Sequence, residues 1–258
     1  KKNLEKKEID LLKKSIKSNN NEYFNIAAGY FLLANEEKNK NNFLKESSFL
    51  EKANDFSFKS KEKINEQALI YWLNLLPKKI EKLNYLTNSN NQKENKNINP
   101  IFVIGLPRSG STLTETIISS GDNKIVDLGE TNLVNWSLLD THRSELFQKM
   151  NVVQDINVNI DSITKKLLNA YENLNVPIKD KKVFLLDKSL ENFHYIDLIL
   201  KIFPNAKFIH TYRNLEDNII AIYKEFLSQI SWSHSLKNII LYIDNYLKTI
   251  EKQKKNNK

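Results

Sequence analysis

The chain of 258 residues contains no cysteine and a single methionine, and it uses glycine and proline sparingly, with five of each. Without cysteine, the sequence can form neither disulfide bonds nor thiolate metal sites. It also lacks a run of about 20 apolar residues, the length that a membrane-spanning helix needs, so we expect no membrane partner. These absences favour a cytoplasmic protein. Because the chain begins at Lys1 and its methionine is Met150, we expect the natural start to lie further upstream.

Positive charge is in modest excess, since 39 basic and 31 acidic residues give a formal net charge of +8. Most lysines alternate with glutamates or lie in connectors rich in asparagine, which is typical of a solvated surface. We therefore expect no nucleic-acid partner, although the positive balance would help to attract an anionic ligand. A hydrophobic content of 40% suits a globular α/β domain accompanied by a smaller helical piece.

The most informative stretch is a short apolar run, Ile101 to Ile104, that stops at Gly105 and is followed by P-R-S-G-S-T at 107–112. This pattern is typical of a strand, a tight loop and a helix start. Unpaired backbone N–H groups and the positive end of the helix dipole then point to one spot. Four nearby side chains can add hydrogen-bond donors: Arg108, Ser109, Ser111 and Thr112. The stretch predicts a site for an anion with several oxygens.

A nucleotide-triphosphate loop is the first alternative. The spacing from Gly105 to Gly110 fits the pattern G-x-x-x-x-G-K-[ST], but Ser111 occupies the lysine position and Arg108 lies within the loop. The missing lysine disfavours ATP and GTP. A P-loop kinase or NTPase stays open as the less favoured interpretation.

Apolar stripes at helical spacing predict that residues 1–86 are α-helical. Small residues at helix-facing positions allow close packing, and a helix-turn-helix unit resembling a tetratricopeptide repeat (TPR) is predicted around residues 22–56. This TPR-like segment could bind a protein partner or could simply cover part of the next domain. Residues 87–99 are almost wholly polar and are interpreted as a linker, which leaves 100–258 as the main domain.

Strand and helix patterns alternate in the main domain. Strands are predicted at 101–104, 125–128, 183–186 and 207–212. Helices are predicted near 111–119, 133–142, 161–174, 192–202, 215–229 and 236–250. The alternation indicates an α/β fold, a P-loop-like three-layer domain with a parallel sheet, whose ligands bind at the carboxyl ends of the strands. Four residues lie just past predicted strand ends: Gly105, Glu130, Lys188 and Arg213.

Three further segments accompany the loop: LLDKSLENF at 185–193, IFPNAKFIH at 202–210 and YRNLED at 212–217. In this order and spacing, the segments resemble sulfotransferases that use 3′-phosphoadenosine 5′-phosphosulfate (PAPS). The resemblance is to the bacterial type with N-terminal tetratricopeptide repeats, and also to the tyrosylprotein sulfotransferases. It covers most of residues 20–250.

The resemblance implies transfer of a sulfuryl group from PAPS to a hydroxyl or amine acceptor, without a metal. The residues that match the loop gripping the 5′-phosphosulfate are Arg108, Ser109, Gly110, Ser111 and Thr112. By the same matching, Lys188 and Arg108 would face the transferring group, Glu130 would be the general base, and Arg213 would bind the 3′-phosphate. His142 and His194 are competing bases, of which His194 is predicted to be structural.

Two departures from the family pattern leave a second alternative open. Ala221 stands where the family has a serine that helps to bind the 3′-phosphate. Relatives also continue beyond the helix that ends near Ile250 with a strand and a loop, so we expect the C-terminal part of the domain to be missing. The alternative is a catalytically impaired, sulfotransferase-like binding or scaffold protein.

Overall fold

A computed structural model of the chain describes residues 4–18, 22–87, 98–121, 124–147, 155–178 and 183–256. Its contacts divide the chain into two compact units. The helical unit contains residues 1–73 and 219–242, and the sheet unit contains residues 74–218 and 243–258. Within the described ranges, no helix has the length and apolarity to cross a membrane.

The regular elements follow the chain in a mixed order. The α-helices of the described ranges are α1 (Lys6–Lys17), α2 (Tyr23–Asn39), α3 (Phe43–Lys59), α4 (Glu62–Leu69), α5 (Leu76–Lys79), α6 (Ser111–Gly121), α7 (Leu133–Phe147), α8 (Ile160–Asn173), α9 (Ile196–Ile202), α10 (Leu215–Tyr223) and α11 (Leu236–Asn256). The strands are β1 (Leu83–Leu86), β2 (Asn99–Gly105), β3 (Ile125–Gly129), β4 (Ile156–Asn159), β5 (Phe184–Asp187) and β6 (Lys207–Thr211). A π-helical segment covers Ile70–Leu75, and 3-10 turns cover Ile80–Lys82, Leu190–Tyr195 and Ser231–His234.

The helical unit is built around a hairpin of α2 and α3. The three residues between these helices include Asn41, whose φ of 56° turns the chain, and Asn42 caps α3 by accepting a hydrogen bond from the Lys45 amide. Tyr30 stacks on Phe56 with ring centroids 5.8 Å apart. The predicted helix-turn-helix is therefore confirmed as a helical hairpin.

The sheet unit contains a four-stranded sheet in the order β3-β5-β2-β6, and each neighbouring pair is parallel. The predicted parallel sheet is confirmed. All four strands predicted from apolar runs are present. A second, two-stranded parallel sheet pairs β1 with β4.

Side chains of β2 alternate between the two faces of the four-stranded sheet. On one face, Val103 belongs to a core cluster against which Ile118 of α6 packs. On the other face, Phe102 stacks on Phe208 with centroids 5.6 Å apart, and Tyr246 of α11 contacts His210. The sheet is thus covered by helices on both faces, which explains why β2 is almost wholly buried.

The structure differs from the sequence prediction at several boundaries. The predicted helical segment to residue 86 ends in strand β1, and β4 was not predicted either, because four alternating residues give too short a pattern to identify. Residues 219–242 group with the N-terminal helices, and α10 ends at Tyr223 instead of Gln229. The predicted linker is described only at residues 87, 98 and 99, and Asn99 already belongs to β2.

Burial of His194 predicts a dependence of stability on pH. Burial lowers its pKa to about 3, so below pH 6.5 the unfolded chain binds a proton that the folded chain excludes. The free energy of unfolding should therefore fall as pH drops from 6.5 to 4.5, with His194 contributing about 1.4 kcal/mol per pH unit. Urea unfolding of His194→Leu should show a shallower slope by that amount.

The buried neighbour Phe193 provides the control for this prediction. Phe193→Leu should lower stability at every pH and leave the slope unchanged, since phenylalanine binds no proton. Equal slopes for the wild type and His194→Leu would contradict the assignment.

Candidate functional site

The carboxyl ends of the four parallel strands meet at one edge of the sheet. There, β2 ends at Gly105, β3 at Gly129, β5 at Asp187 and β6 at Thr211. Strand β6 lies on the opposite side of β2 from β5 and β3, so the chain changes direction across the sheet beside the end of β2. Such a change leaves a crevice beyond the strand ends, where ligands of open parallel sheets bind.

Gly105 begins the loop after β2 by passing very close to β6. A Cβ atom at Gly105 would lie 2.6 Å from both the carbonyl oxygen and the Oγ1 of Thr211, and its φ of +151° also disfavours other residues. Thr211 donates a hydrogen bond to the Ile104 carbonyl at 3.2 Å. The start of the loop is therefore fixed against the end of β6.

Side chains of the segment after β6 donate hydrogen bonds to two carbonyl groups of the loop. Arg213 Nη1 donates to the Arg108 carbonyl at 3.3 Å, and Asn218 Nδ2 donates to the Pro107 carbonyl at 2.7 Å. Arg108 itself has a φ of +65°, in the left-handed region that few non-glycine residues adopt. These contacts fix the orientation of consecutive peptide groups in the loop.

The loop ends at the start of α6, where the first amides have no carbonyl partner within the helix. Ser109 Oγ lies 2.7 Å from the Leu106 carbonyl and 2.8 Å from Thr211 Oγ1. The Ser109 hydroxyl therefore shapes the loop. Arg108 and Thr112 are exposed beside this helix start, whereas Ser111 is buried.

Lys188, at the end of β5, lies between two carboxylates. Its Nζ is 2.7 Å from Glu130 Oε1 and 3.2 Å from Glu115 Oε2. The Lys188 and Glu115 side chains are 8% and 13% exposed, whereas Glu130 is 60% exposed. The structure thus brings Glu130 and Lys188 into direct contact, and it adds Glu115 of α6 to them.

A bulge in β3 produces this contact. Asp127 pairs with Leu186, but the next pair is Gly129 with Asp187, so one residue of β3 has no partner in β5. The extra residue advances β3 by one position and places Glu130 level with Lys188. Gly129 has a φ of +61° at the bulge, and its carbonyl accepts a hydrogen bond from the Lys188 amide.

Asp187 connects the segments that carry Glu130 and Lys188. Its Oδ1 accepts hydrogen bonds from the Ser189 amide at 2.7 Å and from Asn192 Nδ2 at 3.2 Å, and its Oδ2 accepts one from the Thr131 hydroxyl at 3.3 Å. Asp187 is 1% exposed, and burial raises its pKa despite these bonds. Its role here is to hold the chain on either side of the ion pair in place.

Burial and ion pairing act against each other at this edge. Burial lowers the pKa of Lys188, but Glu130 and Glu115 together outweigh it and raise the pKa overall. Burial is the largest influence on the pKa of Glu115 and, together with nearby Asp127, raises it although the contact with Lys188 acts in the opposite direction. Glu191, which is partly buried, has its pKa raised to about 7 by burial and by the charges of Asp187 and Glu130.

The two histidines proposed as competing bases lie elsewhere in the sheet unit. His142 is buried at a kink in α7, and its Nε2 accepts a hydrogen bond from the Asn159 amide at 3.2 Å. His194 is buried beside Phe193, with ring centroids 4.0 Å apart. Among the residues that the structure describes, no group of three or more His, Cys, Asp or Glu side chains could hold a metal ion.

Sequence reasoning did not identify Glu115, Asn218 or Asp187 at this site. A signal for Glu115 existed, because it is the only charged residue between Ser111 and Gly121, and a lone charge in an apolar, hydroxyl-rich helix calls for a partner. Asn218 gave no comparable signal, since its partner Pro107 is distant in sequence. For Asp187, the link to Thr131 across 56 residues could not be read from the sequence.

Comparison with known proteins gives two matches. Residues 100–255 match the model of the sulfotransferase family. An uncharacterized protein of Aquifex aeolicus (strain VF5) is 32% identical to this chain over 129 residues. That match covers 49% of this chain but only 17% of the Aquifex protein, so the chain spans a small part of its relative.

The close approach at Gly105 predicts that a methyl group there will disturb the loop. Gly105→Ala should lower the free energy of unfolding by about 2 kcal/mol, from backbone strain and contact with Thr211. Gly121→Ala is the control, because nothing lies within 4 Å of a Cβ at that position, and it should change stability by less than about 0.5 kcal/mol. Similar urea unfolding curves for the two variants would contradict this description of the loop.

Proposed function

Because the chain belongs to the sulfotransferase family, we propose that it transfers a sulfuryl group from PAPS to a hydroxyl or amine acceptor. The observation that supports this proposal most strongly is the joint placement of a preformed, glycine-bounded loop and the Glu130–Lys188 pair at one edge of the sheet. The loop suits the anionic donor. The pair offers a base and a cation next to it.

Donor binding is assigned to the loop and the segment after β6. The amides of residues 109–112 and the Arg108 guanidinium would hold the 5′-phosphosulfate, since helix-start amides and arginine both suit anions with several oxygens. Arg213 would bind the 3′-phosphate, and its contact with the Arg108 carbonyl places it beside the loop. These assignments keep the roles that the sequence resemblance implied.

In the transfer step, an acceptor oxygen or nitrogen attacks sulfur and forms the new bond to it. The bond from sulfur to the bridging oxygen of the 5′-phosphate breaks, and 3′,5′-ADP leaves with the electron pair. Glu130 would take the acceptor's proton, a role worth about 10²- to 10⁴-fold in rate. Lys188 and Arg108 would stabilise negative charge on the transferring group and the bridging oxygen.

Loss of the Arg108 side chain should weaken binding of 3′,5′-ADP. The variant Arg108→Ala removes a charge-assisted contact, so the dissociation constant should rise about thirtyfold by calorimetry, equivalent to about 2 kcal/mol. Arg143→Ala removes the same charge from an exposed position on α7 and should have little effect. ATP in place of 3′,5′-ADP should bind weakly to the unmodified chain. Equal dissociation constants for the two variants would overturn the assignment of Arg108.

Glu130→Gln should reduce turnover and spare donor binding. Transfer of radiolabelled sulfate from PAPS to phenol, a simple hydroxyl acceptor that keeps its proton at neutral pH, should slow at least about 100-fold because the base is lost, while the dissociation constant of 3′,5′-ADP stays within about twofold. The matched control is Glu172→Gln, at an exposed position on α8, which should retain full activity. If His142→Ala abolished transfer and Glu130→Gln did not, the base would be His142.

A further inference from the structure

Lys188 contacts two carboxylates that differ sharply in exposure. Glu130 is the nearer partner, at 2.7 Å against 3.2 Å for Glu115. Glu130 is also 60% exposed, whereas Glu115 is 13% exposed and extends from α6. The nearer partner is therefore the one that can move into solvent, and the more distant partner is the one enclosed by the fold.

Exposure decides which of the two partners stays in place. Glu130 has the larger effect on Lys188, and together with Glu115 it raises the pKa of Lys188. An exposed pair competes with water and costs side-chain entropy, so the Glu130 contact can be given up. The enclosed Glu115 contact is accordingly the one that persists.

The contact between Lys188 and Glu130 poses a problem for catalysis. While they are paired, the Lys188 ammonium group occupies Glu130 Oε1 at 2.7 Å, where a proton from an acceptor would have to arrive. Glu130 must therefore turn away from Lys188 to take a proton from an acceptor. Without a second partner, Lys188 would be left partly buried with an uncompensated charge, or would follow Glu130 into solvent.

We propose that Glu115 is a positioning residue, the fixed carboxylate that keeps Lys188 at the strand edge while Glu130 turns to the acceptor. This inference rests on the proposed function for the roles of Lys188 and Glu130. Glu115 itself does not touch the reacting groups. It acts through Lys188, and the charge it supplies keeps the ammonium group in place through the catalytic cycle.

Further acidic groups lie near both carboxylates. Asp127 lies near Glu115, and Glu191 lies near Glu130. Lys188 is the cation that both carboxylates share. Removing either carboxylate therefore changes the balance around the same ammonium group, which makes the two changes directly comparable.

The first test measures how strongly Lys188 is protected. Acetic anhydride acylates neutral amines, and mass spectrometry gives the rate at Lys188 relative to Lys166, a half-exposed lysine of α8. Glu115→Gln should raise the relative rate about tenfold, because the ammonium group loses the carboxylate that the fold holds beside it. Glu130→Gln should also raise it, since Glu130 is the nearer partner. A relative rate in Glu115→Gln within about twofold of that in the unmodified chain would overturn the proposal.

A second variant guards against loss of folding. Glu115→Asp keeps the charge and shortens the side chain by one methylene, so it should restore most of the protection that Glu115→Gln loses. Glu115→Asp could instead have an unchanged melting temperature but the same acylation rate at Lys188 as Glu115→Gln. In that case packing, and not charge, matters at position 115, and the proposal is wrong.

The second test separates positioning from binding. Transfer to phenol by Glu115→Gln should be about tenfold slower in kcat, with the dissociation constant of 3′,5′-ADP unchanged. In a Lys188→Met background, Glu115→Gln should cause no further loss, because its effect passes through Lys188. An equal loss in both backgrounds would contradict the proposal.

Failure of the proposed function would give different results from failure of the inference about Glu115. An unmodified chain that binds no 3′,5′-ADP would refute the sulfuryl-transfer proposal, but the acylation rates at Lys188 would still decide whether Glu115 holds it. Normal binding and transfer combined with unaltered acylation in Glu115→Gln would refute this inference and leave the proposed function standing.

Discussion

The sheet unit depends on one constraint, the parallel pairing of β2 with β5 on one side and with β6 on the other. Because all the strands run in the same direction, every turn that follows a strand opens at the same edge. Gly105 permits β6 to approach closely enough for Thr211 to fix the start of the loop. The same pairing places Lys188 beside β3, where the bulge brings Glu130 level with it.

The parts of this arrangement that could be predicted from the sequence are those with local signals. Three local signals lie within about 20 residues of one another: the apolar run before Gly105, the glycine-bounded loop and the helical pattern after it. Because they are so close in sequence, each signal predicts the next. Glu130, Lys188 and Arg213 could be placed at strand ends because an apolar strand pattern precedes each of them. The sequence also showed the helical hairpin, since apolar stripes at helical spacing need no distant partner to be recognised.

The parts that could not be predicted depend on pairing between distant segments. The bulge at Gly129 is defined only by its register with β5, and β1 is recognisable only beside β4. Asn218 reaches the Pro107 carbonyl across more than 100 residues of sequence. The grouping of residues 219–242 with the N-terminal helices depends on contacts such as that of Lys224 with Glu46 at 2.8 Å, and no local pattern indicates them.

The left-handed backbone of Arg108 lowers stability at the position where an arginine side chain would bind an anion. A non-glycine residue in that conformation costs about 1 kcal/mol relative to glycine. Glycine would therefore suit the backbone better there, and what the protein gains from arginine must come from its guanidinium group. The loop is therefore less stable with arginine at position 108 than it would be with glycine there. An anion bound to the guanidinium group would offset this conformational cost. The loop should therefore become more rigid as more of the protein binds the anion.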